Sequence, residues 1–393
     1  MDATVSRLYL DLMGHLRPAF KKVLKFIKFL AGNYSKSWTF QSFTALLMLG
    51  SLVCFLVVMG SSYFFMFPSS ETVVETNQNQ GSSNSSRSPD TLSKGCNVFD
   101  GRWVIDESYP LYNASECPFV ERGFDCLSNG RKDTGYLKWR WKPNSCEIPR
   151  FDVHAVLELL RGKRVVFVGD SLSRTQWESM ICMLLSGIED KNSVIEVNAW
   201  SSAQTFAKRV KTVLKLDQLD DINREWIDSD ILIFNSGHWW TPTKLFELGW
   251  YFQIGGRIKL GMSISNAFKT ALATWQSWME NAVNPNRTHV FFRTFESTHW
   301  STGSHQNCKV TKQPSLKTKG RQRSLISDAI INVVKNVAFP VKLLHVTPMG
   351  AFRSDAHVGS WSDNPSVPDC SHWCLPGVPD MWNELLFSFL LSQ

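Results

Sequence analysis

The sequence predicts an α/β protein: a parallel sheet flanked by helices, with a smaller disulfide-rich region before it and one N-terminal transmembrane helix. Three observations carry this. Past residue 163, short runs of β-branched and aromatic residues alternate with segments of helical spacing, the pattern of a parallel sheet covered on both faces. Residues 43–67 are 25 consecutive residues without a charge. Eight of the nine cysteines follow residue 95.

The charge distribution explains the N-terminal part. The 393 residues carry a formal charge of +7. Residues 1–42 hold seven basic and two acidic groups and so contribute +5 of it. A basic body that binds nucleic acid is therefore not expected. The apolar run 43–67 (FTALLMLGSLVCFLVVMGSSYFFMF) is long enough to span a bilayer, which takes about 20 apolar residues. The basic tail precedes it, so the positive-inside rule places residues 1–42 in the cytoplasm. A cleaved signal peptide would have a shorter apolar region nearer the N-terminus. The expected topology is a type II signal anchor. Residues 68–95, rich in Ser, Asn, Gln and Thr, read as a flexible stem, and everything beyond faces the lumen of the secretory pathway. The sequons at Asn84, Asn113 and Asn286 lie on that side and are candidate glycosylation sites.

Residues 96–150 are dense in Cys, Gly and aromatic residues and read as a loop-rich, stapled lobe. Residues 151–393 form the α/β part. Strands are expected at 164–169 (RVVFVG), 230–234 (DILIF), 288–295 (THVFFRTF) and 341–347 (VKLLHVT). Helices are expected at 172–185, 264–282, 322–336 and 378–391. The eight cysteines Cys96, Cys117, Cys126, Cys146, Cys182, Cys308, Cys370 and Cys374 form an even set in an oxidising compartment, which favours four disulfides. Zinc is the rival reading, but no CxxC pair or His-x-x-x-His partner is present, so no metal site is expected.

Chemistry concentrates at three places. Gly169-Asp170-Ser171 follows the first strand and opens a helix, where open α/β sheets gather their ligands. A serine there is either a nucleophile near helix-terminal N–H groups or an N-cap. Asp369 and His372 stand three residues apart before the last helix, and one loop could bring both to Ser171, His372 as base and Asp369 as its orienter. Asn235 ends the second strand, where its amide could donate to an oxyanion. Trp239 and Trp240 follow it, and either ring could stack on a sugar or fill a core. Strand–Gly-Asp-Ser early and Asp-x-x-His late is the order of the SGNH/GDSL hydrolases. The Gly-x-Ser-x-Gly elbow of the usual α/β-hydrolases is absent.

From Cys96 nearly to the C-terminus the chain resembles the plant trichome-birefringence-like, or PC-esterase-like, family. The strings CNVFDGRWVIDESYPLYNASECPFVERGFDCLSNGRKDTGYLKWRWKPNSCEIPRFD, VVFVGDSLSRTQWESMICML and DCSHWCLPGVPDMWNELL carry the likeness. The resemblance implies a Golgi polysaccharide O-acetyltransferase acting on a cell-wall glycan such as xylan, mannan, xyloglucan or pectin. It implies Ser171 as nucleophile, His372 as base, Asp369 as its orienter, and Arg174 of GDSxxR as a residue that shapes the site. Glycan would lie in a cleft between two lobes. The implied disulfides are Cys96–Cys146, Cys117–Cys182, Cys126–Cys374 and Cys308–Cys370, one of the 105 pairings that eight cysteines allow.

No bound cofactor is implied. The acetyl donor is left open: acetyl-CoA is a candidate, although no phosphate-cradling Gly-rich loop is visible. Oligomeric state is open too. The alternatives are an acetyl-polysaccharide esterase and a non-catalytic glycan-binding cell-wall protein. One departure from the family stands out. After VIEVN (194–198) the family runs on through a segment with YNxTVEFYW and PFLV, whereas here SSAQTFAKRVKTVLKLD leads almost directly to the second strand. A few tens of residues, including a sheet strand, are missing from this stretch. The basic run Lys309, Lys312, Lys317, Lys319, Arg321 and Arg323 reads as a solvated loop rather than a polyanion site.

Overall fold

The computed structural model describes residues 96–195, 212–247, 249–300, 308–316, 318 and 323–392. The expected tail, membrane span and stem lie outside these residues, as does Asn84. Among the described residues no helix is long and apolar enough to cross a membrane.

Residues 96–150 open with an antiparallel pair, β1 (Gly101–Ile105) and β2 (Trp139–Pro143), in which Trp103 faces Trp141. Most of the intervening chain is turns and short 3-10 segments. Helix α1 (Val153–Leu160), which the sequence reading did not anticipate, starts where the Asp152 carboxylate accepts from the His154 and Ala155 amides. β3 (Val165–Val168) then leads into α2 (Ser171–Leu185).

β4 (Thr212–Lys215) follows, then β5 (Ile231–Asn235), buried at every position as its unbroken apolar run requires. β6 (Trp250–Ile254) and β7 (Arg257–Ile258) join β4 in a small separate sheet that sequence reasoning missed. α3 (Ile264–Ala282) has the expected bounds, with Ser263 as its cap. β8 (His289–Arg293) is followed by α4 (Leu325–Asn336). That helix starts later than expected because the Ser324 hydroxyl caps it at the Ile326 amide. β9 (Val341–Leu344) stops early, since Thr347 and Pro348 open the one-turn helix α5 (Thr347–Gly350). β10 (His357–Gly359) and β11 (Asp369–Trp373) form an antiparallel pair, and α6 (Val378–Leu391) closes the fold.

The central sheet has the order β3-β5-β8-β9, all parallel. Side chains alternate across it with the period of two that a strand imposes. Ile231, Ile233, Phe291 and Leu344 pack with Met180 and Met183 of α2 and Trp382 and Leu385 of α6. Leu232, Phe234, Val290 and Phe292 pack on the other face with Phe268, Leu272 and Trp275 of α3 and Ile330 of α4. Burying each such side chain contributes about 1.5–3 kcal/mol. Val98, Tyr112, Phe124, Tyr136, Trp141 and Ile148 join the α2/α6 side of this core. Residues 96–150 therefore share a core with the α/β part.

Four disulfides join the eight cysteines: Cys96–Cys146, Cys117–Cys182, Cys126–Cys374 and Cys308–Cys370. Two of them bracket β11, one holding Cys370 within the strand and the other Cys374 just after it. A cross-link that closes a long loop, as Cys126–Cys374 does over 248 residues, stabilises mainly by restricting the unfolded chain, typically by about 2–4 kcal/mol.

Candidate active site

The turn between β3 and α2 places Ser171 at the helix N-terminus. Asp170 is the cap: its Oδ1 accepts from the Leu172 amide at 3.0 Å and from Asn235 Nδ2 at 3.0 Å. The Ser173 hydroxyl in turn donates to Asn235 Oδ1. Gly169 is obligatory here, because a Cβ would lie 1.8 Å from Asn235 Oδ1. Sequence thus dictates a tight strand-to-helix turn, and Asn235 from the neighbouring strand locks it.

His372 and Asp369 arrive from β11. Both were expected on a loop, but they lie in a strand, and the difference has a physical cause. His357 pairs with Trp373 and Gly359 with Asp369, with a register shift between them. A regular strand would turn residues three apart to opposite faces; the bulge turns them to one face. Asp369 reinforces the kink, its Oδ1 accepting from the Ser371 amide at 2.6 Å and the His372 amide at 3.0 Å. Its Oδ2 lies 2.5 Å from His372 Nδ1, and His372 Nε2 lies 2.6 Å from Ser171 Oγ. The three side chains form one hydrogen-bonded line. Burial works against the Asp369 charge, but the His372 ring and the two amides outweigh it and hold the carboxyl well below the usual carboxylate range. An ionised carboxylate on Nδ1 leaves Nε2 as the acceptor for a hydroxyl proton.

The other expected residues divide. Arg174 sits on the outer turn of α2, half-exposed, paired with Glu121 at 2.8 Å and lying over the Phe124 ring. That ring also packs on His372, with centroids 5.4 Å apart, so Arg174 reaches the site through Phe124. Asn235 holds the turn: its side-chain carbonyl accepts from Ser173 and one N–H of its amide donates to Asp170. Trp240 is placed by its packing. It packs on Phe268 at 4.9 Å and donates to Ser236 Oγ at 3.0 Å, which makes it a core residue rather than a sugar platform. Trp239 is half-buried with the Lys244 ammonium 4.8 Å from its ring. Asn113 and Asn286 are exposed.

Sequence reasoning missed a buried polar group behind the turn. His238 packs at a tilt against Phe295, with centroids 4.4 Å apart, and its Nδ1 lies 3.6 Å from Glu296. Arg293 pairs with Glu296 and covers the Trp382 ring. Burial pushes His238 down to about 4, against the pull of Asp170. Burial also works against the Asp170 charge, but His238, Asn235 and Arg293 together hold that carboxyl below its ordinary value. A histidine and an arginine at strand ends were the available signals, in GHWW and FFRTF, yet neither stretch says what its residue faces.

A Gly-Asp-Ser turn after the first strand of a parallel sheet, its serine bonded to the histidine of a late Asp-x-x-His, defines the GDSL/SGNH-like class. The PC-Esterase model, a GDSL/SGNH-like acyl-esterase family found in Pmr5 and Cas1p, matches residues 148–208 and 193–389. The PMR5 N-terminal domain model matches residues 94–147. The chain is 53% identical to "Protein trichome berefringence-like 7" of Arabidopsis thaliana over 383 residues, covering 89% of this chain and 85% of the relative. It is 37% identical to trichome birefringence-like 6 of the same plant, covering 76% of this chain and 71% of the relative. For trichome birefringence-like 38 the identity is 39%, with 75% and 84% covered. The chain belongs to the trichome birefringence-like, PC-esterase family.

The PC-Esterase match falls into two pieces that overlap within residues 193–208, the stretch where the sequence departs from the family pattern. Residues 196–211 lie outside the described part. Among the described residues β3 pairs with β5 alone, so the strand that leads into Ser171 is an edge strand of the central sheet.

Proposed function

We propose that this protein is a polysaccharide O-acetyltransferase of the Golgi membrane, anchored by residues 43–67, that works through an acetyl-Ser171 intermediate. The observation that carries the reading is the 2.6 Å contact between Ser171 Oγ and His372 Nε2, with Asp369 on the far side of the ring. In the first half-reaction, Ser171 Oγ attacks the donor's acetyl carbonyl carbon while its proton passes to His372 Nε2. The tetrahedral oxyanion collapses, the donor's leaving group takes that proton, and acetyl-Ser171 remains. In the second half, a sugar hydroxyl gives its proton to His372 and attacks the ester carbonyl. Ser171 Oγ then leaves and recovers the proton. Asp369 stays ionised throughout and balances the transient imidazolium. The Ser171 amide is the donor we assign to the oxyanion: the neighbouring amides of Leu172 and Ser173 are already taken by the Asp170 side chain and carbonyl. A single oxyanion donor of this kind is typically worth about 10²–10³ in rate.

A second reading, a hydrolytic acetyl esterase, is favoured by one observation. The His372 and Asp369 side chains are 18% and 29% exposed, so water can compete as acceptor. Incubation of the full-length chain with an acetyl donor and a panel of unacetylated cell-wall oligosaccharides, read by mass spectrometry, separates the two. New glycan esters support transfer. Release of acetate from acetylated glycan with no ester ever formed would replace it with hydrolysis. Ser171→Ala with undiminished activity would remove Ser171 as the nucleophile of either reaction, and finding neither activity in the wild type would leave a glycan-binding protein.

A further inference from the structure

Two histidines that the acyl-transfer chemistry does not use lie directly behind His372. His357 on β10 is fully buried and stacked on Trp373, with ring centroids 3.9 Å apart. Its Nδ1 lies 2.9 Å from the backbone carbonyl of His372. Its Nε2 lies 2.7 Å from Nδ1 of His299, also buried, and Nε2 of His299 lies 3.0 Å from the carbonyl of Ala351.

The three contacts fix a proton count. A carbonyl oxygen only accepts, so each outer ring nitrogen must carry a hydrogen. The short contact between the rings needs another hydrogen between its two nitrogens. Two neutral imidazoles bring only two N–H groups. Making all three bonds therefore takes three ring protons and one positive charge across the pair. We propose that His299 and His357 are positioning residues for acyl transfer: they share one extra proton, and the charged pair holds the backbone of His372 through its carbonyl. The role in catalysis rests on the acyl-transfer reading above; the proton count does not.

The surroundings decide where that proton sits. Burial and the charge of His299 push the His357 ring well below the ordinary histidine value, against its bond to the His372 carbonyl and the pull of the Asp369 carboxylate. Each ring keeps its outer hydrogen, His357 on Nδ1 and His299 on Nε2, and the third proton lies in the contact between them. From β11 the pair faces Asp369 and His372. From residues 96–150 it faces Arg131, which donates to the His357 carbonyl at 3.3 Å and the Asp355 carbonyl at 2.6 Å. The Asp355 carboxylate is matched by Arg353 at 2.9 Å. With two ring protons instead of three, one of the bonds must open. Whichever opens, the line from the His372 carbonyl through both rings to the Ala351 carbonyl is complete only on the acidic side of the pair's titration and breaks as pH rises through it.

The test uses the full-length chain labelled with ¹⁵N in its histidine rings. Two-bond proton–nitrogen spectra distinguish an imidazolium from each neutral tautomer. The expected result is one imidazolium in contact with one neutral ring, converting together to two neutral rings as pH is raised. Two neutral rings at every pH at which the chain is folded would overturn the proposal. The kinetic arm follows cleavage of a chromogenic acetyl ester by the wild type and by His299→Gln, which keeps a donor but cannot be charged. The expected loss in kcat is about tenfold or more with KM within about twofold, as for a displaced catalytic group. The alkaline decline of the kcat profile should flatten in the variant. A variant with wild-type kcat and an unchanged profile would overturn the positioning role even if the third proton were found. Ester cleavage that survives Ser171→Ala would instead sink the acyl-transfer reading, and with it the role, while the spectra still report the proton count.

Discussion

Asp369 and Asp380 are close in sequence, the first partly and the second fully buried, and have opposite fates. Asp369 faces the His372 ring and two backbone amides, which hold it ionised against its burial. Asp380, on α6, faces only neutral donors: the Ser179 hydroxyl at 2.6 Å, the Gly377 amide at 2.8 Å and the Tyr112 hydroxyl at 3.2 Å. Burial dominates there and pushes its carboxyl up to about 7. One turn further on, burial pushes Glu384 up to about 7 as well, although the Tyr109 hydroxyl donates to both of its oxygens. Asp380 has one partner that can only donate, the Gly377 amide, whereas Asp369 has three, two amides and the His372 ring N–H, and is less buried, so its charge is kept. The first arrangement suits chemistry. The second ties residues 96–150 to the closing helix.

The sharpest way to break the contrast is to remove the charge at Asp369. Asp369→Asn should lower kcat by about 10⁴ by releasing the orientation and tautomer of His372, while the melting temperature shifts by only a few degrees. A stability loss with little kinetic effect would mean that Asp369 belongs with Asp380. Next in size is the pH dependence of stability. Asp380 and Glu384 have folded values raised above their unfolded ones, so the folded state holds more protons than the unfolded chain between about 4 and about 7. Their contribution to stability is present below that window and is lost as pH rises through it. Thermal unfolding from pH 5 to 8 should show a decline on the order of a few kcal/mol, and Asp380→Asn with Glu384→Gln should flatten it. An equally steep decline in the double variant would assign the effect elsewhere.

Smaller effects sharpen the same contrast. Tyr109→Phe deprives Glu384 of its donor and should cost about 1–3 kcal/mol of unfolding free energy by denaturant titration. Tyr112→Phe should cost less, because Asp380 keeps Ser179 and Gly377. The smallest is Arg174→Ala. Its ion pair with Glu121 is half-exposed, and such pairs are worth about 0–1 kcal/mol. Any larger consequence should appear in the kinetics, through Phe124 against His372, and a melting shift without a kinetic one would make Arg174 a surface residue.

Much of the site was legible in sequence, for reasons particular to each residue. Ser171 could be found because a glycine-containing turn after a buried strand is a local event, set by Gly169 and the Asp170 cap. Asp369 and His372 could be found as a pair because they are near in the chain. That they lie on a kinked strand could not be read, since the bulge depends on β10 across the hairpin. Asn235 and Trp240 stand at or just after a strand end, where sequence alone leaves each open to a chemical or a structural role. Their neighbours Ser173 and Phe268 are far off in sequence, and only packing shows that these contacts occupy them. Helix α1 was missed although Asp152 caps it, because eight residues give too little periodicity. The β4-β6-β7 sheet was missed because its strands are short and half-exposed.

The sequence by itself determined the alternation of strands and helices and the position of the nucleophile turn. Hydrophobic periodicity and capping are properties of neighbouring residues, so they survive without the rest of the fold. The tertiary structure alone decided which carboxyl groups are charged, which tryptophans are core, and that His299 and His357 meet behind His372. Each of those depends on the dielectric and the hydrogen-bond partners at a point in space, and those partners come from segments that the chain order keeps far apart.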